Sequence, residues 1–226
     1  MSTTTPPRGR PAAFFDMDRT LLAVNSGTLW LHHLWRRGEI SARQMAQALV
    51  WLLEYYVALV DIAEVTTRLG AIMVGSAEEE LRLRCERWFK EDVAKHVTPA
   101  GVAAVERHRK EGHVLAILSG SSPYASQPLA RLLGIPHVLC TRLEVEGGVF
   151  TGRMIEPVCY GAGKVVLAER FAAEQGVDLA ASWFYSDSYS DLPMLARVGH
   201  PVAVNPDPRL GRHARRAGWP IYYWRL

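Results

Sequence analysis

Apolar residues follow two different spacings along this chain. Between residues 26 and 96 they recur at intervals of three and four, the spacing of helices that bury one face. The spacing predicts helices at residues 26–37, 41–60, 62–73 and 77–94. Before this segment, the short apolar run Ala12–Phe15 predicts a buried strand, and it ends abruptly at Asp16-Met17-Asp18.

After residue 96, short apolar runs alternate with stretches of helical spacing. We predict strands at residues 113–118, 137–141, 182–185, 201–204 and 221–224. The intervening helices begin near residues 98, 122, 162, 190 and 207, and Glu146-Gly147-Gly148 predicts the turn of a small β-hairpin. This alternation is typical of the α/β class with a doubly wound, Rossmann-like parallel sheet.

The helical segment interrupts this pattern directly after the first strand. We therefore predict an α/β core formed by residues 12–25 and 97–226, with residues 26–96 inserted as an all-helical cap domain. Residues 1–11 are polar and rich in proline, which predicts a disordered leader.

Composition narrows the class of protein. The chain has 226 residues, of which 49% are hydrophobic, so it can bury a sizeable core. Its 26 basic and 23 acidic residues argue against a nucleic-acid binder that depends on bulk charge. Three widely spaced cysteines argue against a disulfide framework or a structural zinc site. No apolar run predicts a signal peptide or a membrane span, so we expect a cytoplasmic protein.

Polar residues collect where the predicted strands end. In open parallel sheets, ligands bind beyond the carboxyl ends of the strands. The residues expected there are Asp16, Asp18, Ser119, Gly120, Ser121, Asp187, Asp191 and Asn205. Clustered carboxylates repel one another unless a cation lies among them, and a site with few protein ligands plus a substrate phosphate suits Mg²⁺.

Two further features predict an anion site at the same edge. The Ser119-Gly120-Ser121 stretch lies between a strand and a helix, where backbone N–H groups can hold a phosphate oxygen. Lys164 opens a later helix and could direct its ammonium to this edge, although a lysine in a first helical turn is more commonly solvated. Together these groups indicate phosphoryl transfer.

Four motifs in order resemble the haloacid dehalogenase-like phosphohydrolases. The sequence Phe15-Asp16-Met17-Asp18-Arg19-Thr20-Leu21 matches the DxDxT signature of that family. Ser119 closes the second motif, Lys164 fits the third, and Tyr185-Ser186-Asp187-Ser188-Tyr189-Ser190-Asp191 fits the fourth. The helical insertion between motifs one and two resembles the cap of the phosphoserine-phosphatase-like branch.

The resemblance implies a role for each matching residue. Asp16 would attack phosphorus and form an aspartyl-phosphate, and Asp18 would act as general acid and then as general base. Mg²⁺ would be bound by Asp16, the main-chain carbonyl of Asp18, and Asp187. The phosphate would be bound by Ser119, Gly120 and Lys164. Asp191 would orient Lys164 or a metal-bound water, and Thr20 would brace the loop between the two aspartates.

These expectations define a leading function and its alternatives. The leading one is a Mg²⁺-dependent phosphomonoester hydrolase that acts on a small phosphorylated metabolite and binds no nucleic acid. The alternatives are a phosphatase of phospholipid head groups, a phosphotransferase, and a non-catalytic binding protein. A basic stripe on the last helix, Arg209, Arg212, Arg215 and Arg216, is typical of a solvated face; peripheral membrane or nucleic-acid contact is the less favoured interpretation.

One departure from the branch bears on the substrate. Related phosphoserine phosphatases carry a glutamate nine residues after the nucleophile, where it recognises the ammonium of serine. Asn25 occupies that position here. The cap supplies aromatic side chains at Trp30, Trp35, Trp51, Tyr55 and Tyr56. We therefore expect a larger phosphomonoester, such as histidinol phosphate or a lipid-linked phosphate, to be preferred over phosphoserine.

Overall fold

The computed structural model of the protein describes residues 9–56 and 70–226. Within these ranges, eight strands are present: β1 Ala12–Phe15, β2 Val114–Ser119, β3 His137–Cys140, β4 Arg142–Glu146, β5 Val149–Ile155, β6 Trp183–Ser186, β7 His200–Val204 and β8 Ile221–Tyr222. Six of them form a parallel sheet in the order β3-β2-β1-β6-β7-β8, and β4 and β5 form a separate antiparallel hairpin.

Helices connect and cover these strands. Their bounds are α1 Ser26–Arg36, α2 Ala42–Tyr56, α3 Glu78–Trp88, α4 Pro99–Lys110, α5 Pro123–Leu133, α6 Ala162–Gln175, α7 Leu192–Arg197 and α8 Pro208–Ala217. Local signals explain several ends. Thr98 Oγ1 accepts a hydrogen bond from the Gly101 N–H at the start of α4, and Gly134 ends α5 in a left-handed conformation that glycine adopts at low cost.

The sheet is buried on both faces. Ala13 and Phe15 of β1 belong to one apolar cluster, whereas Ala12 and Phe14 belong to the cluster on the opposite face. Because side chains alternate along a strand, helices on both sides require every residue of the central strand to be apolar. The continuous apolar run that predicted β1 has this origin, and the predicted α/β parallel sheet is confirmed.

The chain enters and leaves the inserted helical segment at one place. Leu22 and Val97 form an antiparallel bridge, and the Ala23 N–H donates to the His96 carbonyl at 2.8 Å. The segment also touches the hairpin, since Ala77 bridges Val149. The two connections thus lie side by side. The division into core and cap domains remains a prediction.

Several boundaries differ from the sequence prediction. Arg10 was assigned to the leader, but its N–H donates to the Gly176 carbonyl and its carbonyl accepts from the Asp178 N–H, so backbone pairing orders the chain before β1. The last strand ends at Tyr222, because β7 pairs with only two of its residues. Residues 1–8 of the predicted leader and residues 57–69, where helices were predicted, lie outside the described ranges.

The described helices do not match a membrane span. None of those within residues 9–56 and 70–226 combines the length and the apolar character that a bilayer span requires.

Candidate functional site

Strand register brings three strand ends together. Phe15 pairs with Ile117 of β2 and with Tyr185 of β6, so Asp16 leaves β1 near the carboxyl ends of both neighbours, Ser119 and Ser186. The Asp16 N–H donates to the Tyr185 carbonyl at 2.9 Å, which fixes the backbone where the loop begins. The predicted gathering of polar residues at this edge therefore follows from parallel pairing.

The loop that carries Asp16 and Asp18 is held by hydrogen bonds to its main chain. It forms one wide turn closed by the Leu22 N–H, which donates to the Met17 carbonyl at 2.9 Å. Arg19 adopts a positive φ of 52°, and Asn205 Nδ2 donates to its carbonyl at 2.8 Å. Asn205, expected at the same edge, thus braces the loop rather than contacting a carboxylate.

Thr20 lies behind this loop and is fully buried. Its Oγ1 has no hydrogen-bond partner among the residues that the structure describes. Instead, Thr98 Oγ1 lies 3.3 Å from the Thr20 carbonyl and 3.2 Å from the Leu21 carbonyl, as a donor to this turn. Bracing of the loop by the Thr20 hydroxyl itself remains a prediction.

Lys164 lies at the centre of the site. Its Nζ donates to Asp16 Oδ1 at 2.8 Å and to Asp191 Oδ2 at 2.7 Å. The residue is only 3% exposed, so this lysine is buried rather than solvated. Gly163 allows this placement, because a Cβ there would lie 1.9 Å from the Val158 carbonyl oxygen.

A second loop, residues 186–191, ends at Asp191 and also holds the carboxylate of that residue by a hydrogen bond. Ser186 Oγ donates to Asp191 Oδ2 at 2.6 Å, so this serine contacts the same oxygen as Lys164. Ser188 and Ser190 share a hydrogen bond of 2.9 Å between their hydroxyls.

Asp207 fixes this second loop from outside, and the sequence analysis did not identify it. Its Oδ2 accepts from the Tyr189 N–H at 2.6 Å, and its Oδ1 accepts from the Arg209 and Leu210 N–H groups at the start of α8. Its own N–H donates to the Asp187 carbonyl at 2.8 Å. An aspartate directly before Pro208 is a recognisable helix cap, but nothing in the sequence links it to the loop.

The buried carboxylates strongly perturb one another. Burial, with the Asp191 and Asp18 charges, raises the pKa of Asp16 to about 7, although Lys164 acts to lower it. Burial and then the charges of Asp16 and Asp191 raise the pKa of Asp187 well above its usual value. Burial acts to lower the pKa of Lys164, but the two paired carboxylates raise it well above its usual range, so the ammonium stays charged.

This donor set fits a hard divalent cation. Asp16, Asp187 and Asp191 are all buried, the charges of Asp16 and Asp191 act on Asp187, and Lys164 pairs with Asp16 and Asp191. A cation among the remaining oxygens would offset the repulsion that raises the pKa of Asp187. Carboxylate and carbonyl oxygens are ligands that Mg²⁺ accepts. The chemistry of the cluster is therefore compatible with the predicted metal site.

The predicted phosphate-binding residues follow β2. Ser119 is buried at the end of that strand, and its Oγ accepts from the Ser121 N–H at 3.2 Å. A Cβ on Gly120 would lie 3.4 Å from the Cys159 carbonyl oxygen, which is an ordinary van der Waals contact. Helix α5 begins directly afterwards at Pro123. The positions suit anion binding at a helix N-terminus, and the assignment itself remains a prediction.

Asp18 contacts the inserted helical segment rather than Lys164. Its Oδ1 accepts from the Ser26 N–H at 2.9 Å. Its Oδ2 accepts from Ser26 Oγ and from Asn25 Nδ2, both at 3.1 Å. Ser26 was not identified from the sequence; its position ten residues after Asp16 carries no obvious signal without the turn between them.

The cap aromatics are only partly described. Trp30 stacks on His33 with ring centroids 5.5 Å apart and meets the edge of Trp88, so it packs within the helical segment. Trp35 is 44% exposed. The side chains of Trp51, Tyr55 and Tyr56 lie outside the described part of the chain, so an aromatic substrate pocket remains a prediction.

Comparisons with known proteins find similar hydrolases and phosphatases. A family model described as haloacid dehalogenase-like hydrolase matches residues 13–196. A histidinol-phosphatase of Neisseria meningitidis serogroup C (strain 8013) is 31% identical over 214 residues, which cover 92% of this chain and 96% of that protein. A phosphoserine phosphatase of Mycobacterium tuberculosis (strain ATCC 25618 / H37Rv) is 32% identical over 220 residues, covering 95% of this chain and 71% of that protein.

A solved structure has the same fold over nearly the whole chain. The crystal structure of a protein of unknown function from Bordetella pertussis Tohama I has a TM-score of 0.86 at 27% sequence identity. The match covers 95% of this chain and 98% of the other.

Proposed function

Because the chain belongs to the haloacid dehalogenase-like hydrolase family and is a phosphatase, we propose that it hydrolyses a small phosphomonoester through an aspartyl-phosphate on Asp16, with Mg²⁺ as cofactor. The observation that carries the proposal is the buried contact of Lys164 with both Asp16 and Asp191. It joins the first, third and fourth motifs in one cluster.

The first half of the reaction forms the covalent intermediate. A carboxylate oxygen of Asp16 attacks phosphorus, the bond from phosphorus to the leaving oxygen breaks, and its electron pair stays on that oxygen. Asp18 gives its proton to the leaving oxygen, so the product departs as a neutral alcohol. Lys164 holds Asp16 Oδ1 and therefore fixes the orientation of the attacking carboxylate.

The second half regenerates the enzyme. Asp18, now ionised, takes a proton from a water molecule as that water attacks the phosphorus of the aspartyl-phosphate. The bond between phosphorus and Asp16 breaks, and inorganic phosphate leaves. The same carboxyl group thus acts first as an acid and then as a base.

The remaining residues would bind the cofactor and the phosphate. Asp16, the main-chain carbonyl of Asp18, and Asp187 would hold Mg²⁺, whose chemistry is to withdraw charge from the phosphoryl oxygens. Ser119, Gly120 and Lys164 would bind those oxygens. Asp191, held by Ser186 at 2.6 Å, keeps Lys164 in place.

Asn25, which stands where related phosphoserine phosphatases carry a glutamate, bears on the class of substrate. The oxygen of the Asn25 amide accepts hydrogen bonds from the Thr28 N–H and Oγ1, so it is already committed within α1. An ammonium at this position would meet no free acceptor from Asn25. We therefore propose a phosphorylated metabolite whose recognition does not depend on an amino group at Asn25.

Phosphate release from p-nitrophenyl phosphate tests the function directly. Wild-type protein should release phosphate with Mg²⁺, lose activity in EDTA and regain it when Mg²⁺ is restored. Asp16→Asn should lose a factor of roughly 10³ or more, because an amide lacks the attacking oxygen charge, while its circular dichroism stays unchanged. Full activity in a chelated sample, or more than a tenth of wild-type activity in Asp16→Asn, would contradict the mechanism.

A further inference from the structure

Both oxygens of the Asp18 carboxylate are held by two consecutive residues at the start of α1, Asn25 and Ser26. The Ser26 N–H donates to Oδ1 at 2.9 Å, while Ser26 Oγ and Asn25 Nδ2 donate to Oδ2 at 3.1 Å each. These donors come from Asn25, the N-cap of α1, and from Ser26, its first helical residue. The side chain expected to donate the proton is therefore fixed by the start of α1, not by the sheet.

Asn25 makes this contact with one half of its amide and caps the helix with the other. Its Oδ1 accepts from the Thr28 N–H at 2.9 Å, whereas its Nδ2 donates to Asp18. The two roles use different atoms. A residue that retains the capping oxygen but lacks the amide donor can therefore separate the stability of α1 from the contact with Asp18.

We propose that Asn25 and Ser26 are positioning residues for Asp18, which hold its carboxyl group in place for proton transfer to the leaving oxygen. The inference rests on the proposed function. All three donors bind most strongly to the ionised carboxylate, which is the form that Asp18 reaches as its proton departs. The N-terminus of α1 adds a partial positive charge beside the same group.

The contacts also indicate which oxygen carries the proton. Two donors occupy Oδ2, which is the number of lone pairs that one carboxylate oxygen offers. Among the hydrogen bonds seen in residues 9–56 and 70–226, Oδ1 accepts one, from the Ser26 N–H, which leaves it a second lone pair for the proton. The proton on Oδ1 passes to the leaving oxygen as the bond from that oxygen to phosphorus breaks, and the electron pair of that bond stays on the leaving oxygen.

If Asn25 and Ser26 position Asp18, their loss should matter more for poor leaving groups. A purely structural role would not depend on the leaving group. A nitrophenolate leaves readily without a proton, whereas an alkoxide needs one. Loss of the Asp18 donors should therefore slow the cleavage of alkyl phosphates far more than that of p-nitrophenyl phosphate. A general loosening of the fold would slow both substrates alike.

The test measures kcat/KM for p-nitrophenyl phosphate, phenyl phosphate and an alkyl phosphomonoester. Asn25→Ser retains a capping oxygen but removes the amide donor, and Ser26→Ala removes the hydroxyl donor. Each should lower kcat/KM for the alkyl phosphate by about tenfold to a hundredfold, the effect of losing a hydrogen bond to a charged group, but that for p-nitrophenyl phosphate by less than about threefold. Ser26→Thr, which retains the hydroxyl, should restore most of the loss.

Thr28→Val is the matched control, because it removes a hydroxyl that contacts Asn25 but not Asp18. It should show no dependence on the leaving group. Equal losses across the three substrates, or no loss in either variant, would overturn the positioning role. Wild-type protein that cleaves none of the three would contradict the proposed function instead, so the two failures are distinguishable.

Discussion

Replacing Lys164 with methionine would separate the charge of this side chain from its bulk. The Nζ lies 2.8 Å from Asp16 Oδ1 and 2.7 Å from Asp191 Oδ2, and the residue is 3% exposed. Methionine fills a similar space without an ammonium. The variant therefore leaves two buried carboxylates facing each other with no cation from the protein between them.

The size of the effect follows from these contacts. Removing one partner of a buried ion pair typically costs about 3–5 kcal/mol of unfolding free energy. Asp16 can reduce that cost by taking up a proton, because its pKa is already raised to about 7 and Lys164 is the charge that lowers it. A protonated Asp16 cannot attack phosphorus. We therefore expect a stability loss of about 3 kcal/mol and a fall in kcat of roughly 10³ or more.

The sign of the pH dependence follows from the same shift. A carboxyl whose folded pKa lies above its unfolded value binds more protons when folded, so the folded state gains stability as the pH falls. Removing Lys164 raises the folded pKa of Asp16 further. The stability difference between wild type and Lys164→Met should therefore shrink when the pH is lowered from 8 to 5.

Urea unfolding in EDTA measures the stability without a divalent ion that could replace the ammonium. Phosphate release with Mg²⁺ measures the activity. Lys164→Met/Asp191→Asn should recover part of the lost stability, since one buried charge is removed, but none of the activity. Lys110→Met is the control, because that side chain is exposed at the end of α4. A Lys164→Met variant with wild-type stability and more than a tenth of wild-type activity would refute the central placement of Lys164.

Three further predictions concern substrate, metal and acid stability. Phosphoserine should have a kcat/KM about tenfold or more below that of histidinol phosphate, because Asn25 offers its substrate no charge; phosphoserine ranking first in such a panel would disprove this interpretation. Excess Ca²⁺ should inhibit the Mg²⁺-activated enzyme in a phosphate-release assay, because its looser coordination lets Asp16 bind through both oxygens; stimulation by Ca²⁺ would argue against that ligand. Burial lowers the pKa of His108 from 6.5 to about 4, so the unfolded chain binds the extra proton between these values and stability should fall as the pH drops through that window. His108→Gln should flatten this part of the urea-midpoint profile, and an unchanged slope would exclude His108 as its source.

The sequence alone was sufficient to predict the parallel sheet and most of the polar residues at the carboxyl ends of its strands. Parallel strands covered on both faces must be apolar throughout, so Ala12–Phe15 was recognisable without any knowledge of its neighbours. The polar residues that end such strands then meet at one edge by the rules of parallel pairing. These signals are local in the chain, and local patterns can be read from the sequence.

Tertiary structure decided which of these residues contact one another. Lys164 and Asp16 are 148 positions apart, and whether the lysine is solvated or buried depends on how α6 packs against the sheet. Asp207 has the sequence signal of a helix cap, but its second contact, with the Tyr189 N–H, exists only because two loops meet. In both pairs, the sequence around one residue does not indicate its contact with the other.

The contacts of Asp18 depend on a turn that the sequence does not specify. Arg19 adopts a positive φ without being a glycine, and it does so where Asn205, from a distant strand end, holds its carbonyl. That turn brings Asn25 and Ser26 back to Asp18. Spacing identifies residue types that can perform a reaction, whereas the direction of each side chain depends on backbone angles that distant contacts select.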